Sequence, residues 1–249
     1  MVTSRSVLRV SGERDIPVID AGSRFTAVTL RGGGLFVVDS TATPMAIVAE
    51  YDAATVNQNG CGGVETADGT LYLNAGGGTP THPFGSSLYA FNVSDFTSAP
   101  AAPNTPPPAL VFSIEEGEGA DSHGAALTGD GAYLWVADRA ANAIVVVATA
   151  TNDVVDEIAL AGPVSDDPAP DLIDVSPDRT WVFASLRGLA PPTGNAPDHH
   201  NAVGATPGLG LIRVADGGRS GELIAVLPIA NVVDGADVAD PHGLRVRPT

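Results

Sequence analysis

Lysine is absent from the 249 residues: all 12 basic side chains are arginine, set against 29 Asp and Glu, for a formal charge of −17. That absence removes a Schiff-base lysine, and with it a PLP attachment point, as well as a phosphate-loop lysine and a lysine general base. The shortage of positive charge, with a sequence pI near 4.3, excludes nucleic acid as a partner, because phosphate binding needs a basic footprint. The single cysteine, Cys61, excludes an intrachain disulfide and any multi-cysteine zinc or iron–sulfur site. No run approaches the roughly 18 apolar residues of a membrane span; the strongest, residues 144–148, suits a buried strand. No membrane insertion is expected. The first residues, MVTSRSVLRVSGERD, lack the apolar centre of a signal peptide. As written, the chain reads as soluble and cytoplasmic, and as periplasmic or secreted if an upstream signal segment is missing.

Helical signal is scarce too. No window of about 12 residues carries a 3.6-residue apolar period. What is present is turn chemistry, 29 Gly and 20 Pro, between short β-branched runs. That alternation predicts many short strands. Hydrophobic residues at 44% and charged ones at 16% describe a packed chain. The clearest unit is 121–160, DSHGAALTGDGAYLWVADRAANAIVVVATATNDVVDEIAL, which parses as four strands over 124–127, 133–137, 143–148 and 154–160. Four antiparallel strands in about 40 residues is the size of one blade of a β-propeller.

Sliding this unit along the chain aligns Gly131, in its first turn, with Gly32, Gly69 and Arg179. The second-strand columns then read Trp135/Phe36/Leu73/Phe183 and Tyr133/Gly34/Leu71/Trp181. Eight residues before each turn position stand Arg24, Cys61, His123 and Asp171, and a partial copy, PHGLRVRPT, places His242 in the same column. The expected fold is an all-β, single-domain propeller of four-stranded antiparallel blades, about five of them readable, or a fragment of a larger one. Full blades are expected near 24–56, 61–117, 121–160 and 171–229. A last blade would be shared by 1–20, through Val7–Val10 and Ile16–Ile19, and 240–249. Insertions fall at 76–87 and 187–209, between second and third strands. The proline-rich 99–109 lies between third and fourth strands and reads as a surface spacer.

Residues 130–155 (DGAYLWVAD…NAIVVVATATNDVV), with Ser176-Pro177-Asp178, resemble the YVTN-type bacterial β-propeller repeat. That repeat is related in fold to NHL-type, haem d1-type and lactonase-type propellers within the wider WD40/YVTN-like group. The likeness departs at Ala148, where such repeats usually carry Asp, and at Arg179, where Gly is usual. It implies a propeller, often periplasmic or surface-exposed, and no single shared activity.

In such a blade the first strand lines the central channel, and the loops into it share one face with the second-to-third loops. His82, His123, His199, His200 and His242 all map to that face. The loops 115–121, 165–171 and 234–240 hold ten acidic residues among 21, against 29 in 249 overall. Crowded carboxylates favour cation binding and repel anions, phosphorylated sugars included. Cys61, His123, Asp171 and His242 would converge on the axis as a ligand set for zinc, copper or iron. Gly62, Gly124 and Gly243 follow three of them, and Asp121 and Asp240 are placed to orient the two histidines. The competing reading makes Cys61 a small buried hydrophobe, Asp171 a turn cap and the column a ring closure. Arg139 and Arg187 share a position just after the second strand, where they clamp a carboxylate ligand or balance acidic neighbours such as Asp138. The glycine runs 32–34 and 76–78 open no helix, so no nucleotide site is expected. Three functions remain: a module binding a metal ion or cationic small molecule, a scaffold for protein partners, or a metal-assisted lactonase-type hydrolase. In the last, Asp171 or Asp121 would act as base and Arg139 or Arg187 would hold substrate.

Overall fold

The computed structural model describes residues 18–21, 24–77, 84–114, 119–193 and 203–247. Four antiparallel sheets, each of four strands paired in chain order, account for nearly all of the regular structure. The first holds β1 (Val18–Ala21), β2 (Phe25–Thr29), β3 (Leu35–Asp39) and β4 (Ala46–Tyr51). The second holds β5 (Gly60–Glu65), β6 (Thr70–Gly76), β7 (Ser86–Asn92) and β8 (Ala109–Ile114). β9 (Ser122–Thr128), β10 (Tyr133–Asp138), β11 (Ala143–Ala148) and β12 (Asp153–Ala159) form the third. β13 (Pro170–Val175), β14 (Trp181–Leu186), β15 (Gly208–Ala215) and β16 (Ser220–Pro228) form the fourth, followed by a small hairpin of β17 (Val232–Val233) and β18 (Ala236–Asp237). Among the described residues no helix is long and apolar enough to cross a membrane.

Sequence pattern tracks position within each sheet. Burial alternates along β9, with the small residues Ser122, Gly124, Ala126 and Thr128 buried and His123, Ala125 and Leu127 half-buried. The middle strands β10 (YLWVAD) and β11 (AIVVVA) are nearly continuous apolar runs and buried along almost their whole length, because sheets pack against both of their faces. β12 is mostly exposed or half-buried, as an outer strand is. First strands lie side by side through the molecule, β1 on β5, β5 on β9 and β9 on β13. Three apolar clusters fill the gaps between successive sheets: one around Leu35, Leu71 and Phe91, one around Tyr72, Leu134 and Val147, and one around Trp135, Ile144 and Ile212. Sheets three and four are also tied by Trp135 Nε1 and Thr128 Oγ1, which both donate to the Gly218 carbonyl, at 2.7 and 2.9 Å. In every sheet the register slips once between third and fourth strands, at Val37/Val38, Leu88/Tyr89, Val146/Val147 and Leu211/Ile212. A bulge at this fixed place adds the local twist that each sheet needs.

Three expectations are corrected. The first sheet starts one strand earlier than 24–56: Val18–Ala21 is its first strand, paired residue for residue with Phe25–Thr29. Leu35–Asp39 is therefore its third strand and not its second, and Arg24 drops out of the channel column, pairing instead with Asp39 at 3.2 Å. The packing shows why: the end of β2 meets the start of β5, with Thr29 Oγ1 donating to the Gly60 carbonyl, as the end of β6 meets the start of β9. Ile19, expected in a last blade with the C-terminal segment, consequently sits in the first sheet; Val7–Val10 lie outside the described residues. The proline-rich 99–109 is more than a spacer. Ala101 and Asn104 donate their N–H groups to Val48 and Glu50 carbonyls at 2.8 Å each, and the Tyr51 hydroxyl donates to Pro106 at 2.6 Å, so the segment covers the open edge of β4.

Candidate metal centre

The chain builds the site with irregular strand starts. Pairing between first and second strands slips from Gly60 to Gly62 in sheet two, opposite Val136 to Asp138 in sheet three, and from Pro170 to Ile173 in sheet four. The slips fall on Cys61, on His123-Gly124 and on Asp171-Leu172. A bulge re-aims the side chain it carries, and here it does so at the mouth of the channel. Gly124 is needed for the approach: a Cβ there would stand 2.5 Å from the Asp171 carbonyl oxygen.

His123, Asp171 and His242 each offer one ligand atom, and the three atoms lie within 4.8 Å of one another. Asp171 is fully buried. Its Oδ2 accepts from Arg139 Nη1 at 3.1 Å and lies 2.8 Å from His242 Nδ1, with Arg187 Nη1 also 3.1 Å away. Its Oδ1 makes no hydrogen bond among the described residues and faces His123 Nε2 at 3.4 Å. The two imidazole centroids are 5.4 Å apart. His242 Nδ1 lies 2.8 Å from Asp171 Oδ2 and 2.9 Å from Arg187 Nη1, on a side chain 46% exposed.

The surroundings set the charge states of His123 and Asp171. Burial, and then the Arg139 guanidinium, push His123 down to about 3, so at neutral pH it is an uncharged imidazole with a lone pair to give. Burial works to raise Asp171, but its imidazole neighbours and Arg139 outweigh that and hold the carboxyl below the usual range. With His123 neutral, the effective causes are the His242 hydrogen bond and the guanidinium. Arg139, fully buried, also donates to Asp121 Oδ2 at 2.7 Å; Arg187, equally buried, lies 2.6 Å from Asp240 Oδ1 and donates to the Thr193 carbonyl at 2.5 Å. Three carboxylates (Asp121, Asp171, Asp240) thus face two guanidiniums, a net charge of −1 that a cation would offset.

Of the four candidate ligands, three are brought together. Cys61 stands apart: its half-buried thiol faces the Asn59 and Gly76 carbonyls at 3.2 and 3.3 Å, and burial, with Asp121, pushes it up to about 12. Arg139 and Arg187 are placed to brace Asp171. Asp121 and Asp240 orient these arginines and not the histidines. Asp138 caps the turn after β10 and accepts the Asp121 N–H at 2.9 Å. Thr193 joins the site through Asp240 Oδ2, which accepts from its N–H at 3.0 Å and its hydroxyl at 2.6 Å. No repeat register points to Thr193, since it lies in an insertion. His82, His199 and His200, with Glu115, Glu116 and Glu118, fall outside the described residues.

No family model and no curated protein matches the chain. Solved structures do. Hydrazine synthase of Kuenenia stuttgartiensis superposes with a TM-score of 0.55 at 17% identity, over 92% of this chain and 54% of that one. The periplasmic gluconolactonase of Pseudomonas aeruginosa gives 0.55 at 13%, over 85% and 56%. A chain of a mitotic checkpoint complex gives 0.53 at 12%, over 89% and 56%. The fold is a β-propeller. The chain spans little more than half the length of these matches, and at such identities the likeness carries the architecture alone. The four sheets are its blades, and β1, β5, β9 and β13 line its channel.

Proposed function

We propose that this propeller binds a divalent transition-metal ion at the mouth of its channel, through His123, Asp171 and His242. One observation carries the reading: a fully buried carboxylate keeps one oxygen without a hydrogen bond, and that oxygen faces a neutral imidazole with a second imidazole beside it. An unpaired carboxylate oxygen in the interior is costly unless a cation takes it. Two nitrogens and one oxygen suit zinc, iron or copper and suit calcium or magnesium poorly. Arginines on Oδ2 leave Oδ1 for the ion. The strong negative charge of the chain supplies long-range attraction, and the YVTN-type likeness of 130–155 is compatible with such a channel site.

The test is metal content by mass spectrometry and titration calorimetry with zinc, iron(II) and copper(II) on protein stripped of metal. One equivalent is expected, with affinity falling at least about tenfold in His242→Ala and again in His123→Ala. Uptake well below one equivalent for all three metals, or unchanged affinity in the double variant, overturns it.

A second reading rests on the channel itself. A volume of about 530 Å3, lined by Val64, Glu65, His123, Leu172 and Leu244 among others, adjoins the centre. A small neutral ester or lactone fits there, where a bound ion would polarise its carbonyl. Lactone hydrolysis that depends on added metal would establish this reading, and its absence in metal-loaded protein would leave binding alone.

A further inference from the structure

Arg139 is tied down at two points on blade three before it reaches the centre. Its backbone N–H donates to the Asp121 carbonyl at 3.1 Å, and its Nε donates to Asp121 Oδ2 at 2.7 Å. The Asp121 N–H in turn donates to Asp138 Oδ1 at 2.9 Å, so the loop into β9 and the turn after β10 hold each other. From that anchor Nη1 crosses to blade four and donates to Asp171 Oδ2 at 3.1 Å. Arg139, Asp121 and Asp171 are all buried. A guanidinium is planar and permanently charged, so holding it at Nε fixes where Nη1 points.

That contact decides which oxygen of Asp171 is left for an ion. Oδ2 also has His242 Nδ1 at 2.8 Å and Arg187 Nη1 at 3.1 Å, so nitrogens crowd its lone pairs. An ion at bonding distance from Oδ2 would lie against a positive guanidinium. Oδ1 faces His123 Nε2 instead, at 3.4 Å. The carboxylate can therefore offer a cation one oxygen, beside imidazole nitrogen. Calcium takes about six to eight oxygens, often with a bidentate carboxylate, and manganese(II) also favours oxygen ligands. Zinc, iron and copper accept a single carboxylate oxygen among nitrogens.

We propose that Arg139 sets the metal selectivity of this centre: by occupying Asp171 Oδ2 it makes the carboxylate a one-oxygen ligand and disfavours calcium and manganese(II). It is a positioning residue, since it acts on the ion through Asp171. The role rests on the metal reading proposed above and adds a cause of selectivity separate from the ligands themselves. Charge and position can be told apart here. Exchanging Asp121 and Arg139 together for neutral residues removes one negative and one positive charge. The net charge of the centre is kept, while Oδ2 loses the Arg139 donor.

Asp121→Asn/Arg139→Gln is that exchange, and the bonds of the two backbone N–H groups involve neither altered side chain. Calorimetry on the full chain stripped of metal gives affinities for zinc, manganese(II) and calcium. Wild type should prefer zinc to either by at least about a hundredfold. The exchange should lower the zinc-to-manganese ratio at least about tenfold while zinc still binds. Arg139→Lys, whose ammonium lacks the fork that serves both carboxylates, should move the ratio in the same direction. Cobalt(II) bound in place of zinc should lose intensity in its visible bands as a second oxygen joins it. A merely structural role would weaken zinc and manganese(II) alike. An unchanged ratio in either variant, shown to be folded by circular dichroism melts, overturns the proposal and leaves the metal reading intact. Wild type that binds manganese(II) or calcium as tightly as zinc overturns it without any variant. Wild type that takes up none of the ions overturns the metal reading itself, and Arg139's role with it.

Discussion

Asp138 lowers stability at neutral pH, and the amount can be worked out. It is almost fully buried, and its Oδ1 accepts three backbone N–H groups, from Asp121 at 2.9 Å, Ala140 at 3.1 Å and Ala141 at 3.0 Å. Burial nevertheless dominates those bonds and raises the carboxyl from 3.8 to about 6. The folded chain therefore holds this proton more tightly than the unfolded chain does. Between about pH 4 and 6 the unfolded state has lost the proton and the folded state still carries it, so stability falls as pH rises through that window. A shift of about two units corresponds to roughly 3 kcal/mol, fully lost above about pH 7. Asp138→Asn keeps the accepting Oδ1 and cannot ionise. It should match wild type near pH 4 and exceed it by roughly 1–3 kcal/mol at pH 7.5. Urea unfolding of both proteins at half-unit steps from pH 4 to 8 gives the difference, in which titrations common to both cancel. A variant less stable than wild type at pH 7.5, or a difference that does not change with pH, would refute the reasoning.

Cys61→Ala should leave zinc affinity within about twofold of wild type, because the thiol is turned to backbone carbonyls and away from the three-ligand group; calorimetry checks this, and a tenfold loss would make the sulfur a ligand. Gly124→Ala should lower stability by about 3 kcal/mol or more and weaken metal uptake, since its Cβ would meet the Asp171 carbonyl oxygen at 2.5 Å and the Ile173 nitrogen at 2.6 Å. Gly243→Ala, whose Cβ would find only Leu172 Cδ1 at 3.6 Å, should change the melting temperature little. Equal effects of the two alanines would show that blades three and four do not approach as closely as described.

Blade three was legible strand by strand from sequence, for a physical reason. β10 and β11 lie between two other sheets, so both faces must be apolar, and the turns between strands carry residues that accept positive φ, Asp130 and Gly131 first, then Asn142 and Asn152. Blade one misleads because its third strand imitates a second. LFVVD resembles LWVAD, and Asp39 caps the following turn through Thr41 and Ala42 as Asp138 does through Ala140 and Ala141. Local sequence specifies the strand and its turn, whereas place in the sheet depends on the contact between Thr29 and Gly60. At the site, counting eight residues back from a turn located His123 and Asp171. It could not reveal that Arg139 and Arg187 converge on Asp171, since one contact crosses from blade three to blade four and the other depends on the register slip at Asp171-Leu172 within blade four.

The ring explains why four column residues yield a three-ligand group. Channel strands approach only their immediate neighbours, so residues in one register meet in pairs along the ring: His123 with Asp171 at 3.4 Å, Asp171 with His242 at 2.8 Å. His123 and His242 flank one carboxylate and come close to each other through it. Cys61 is a blade further round, and its thiol faces its own blade's backbone at Gly76. Asp171, in the middle, is the residue on which both arginines and both histidines act. The integrity of the centre therefore rests on how firmly 240–246 is held to blade four, by Arg187 on Asp240, Ser185 on the His242 carbonyl and Asp174 on the Val246 N–H.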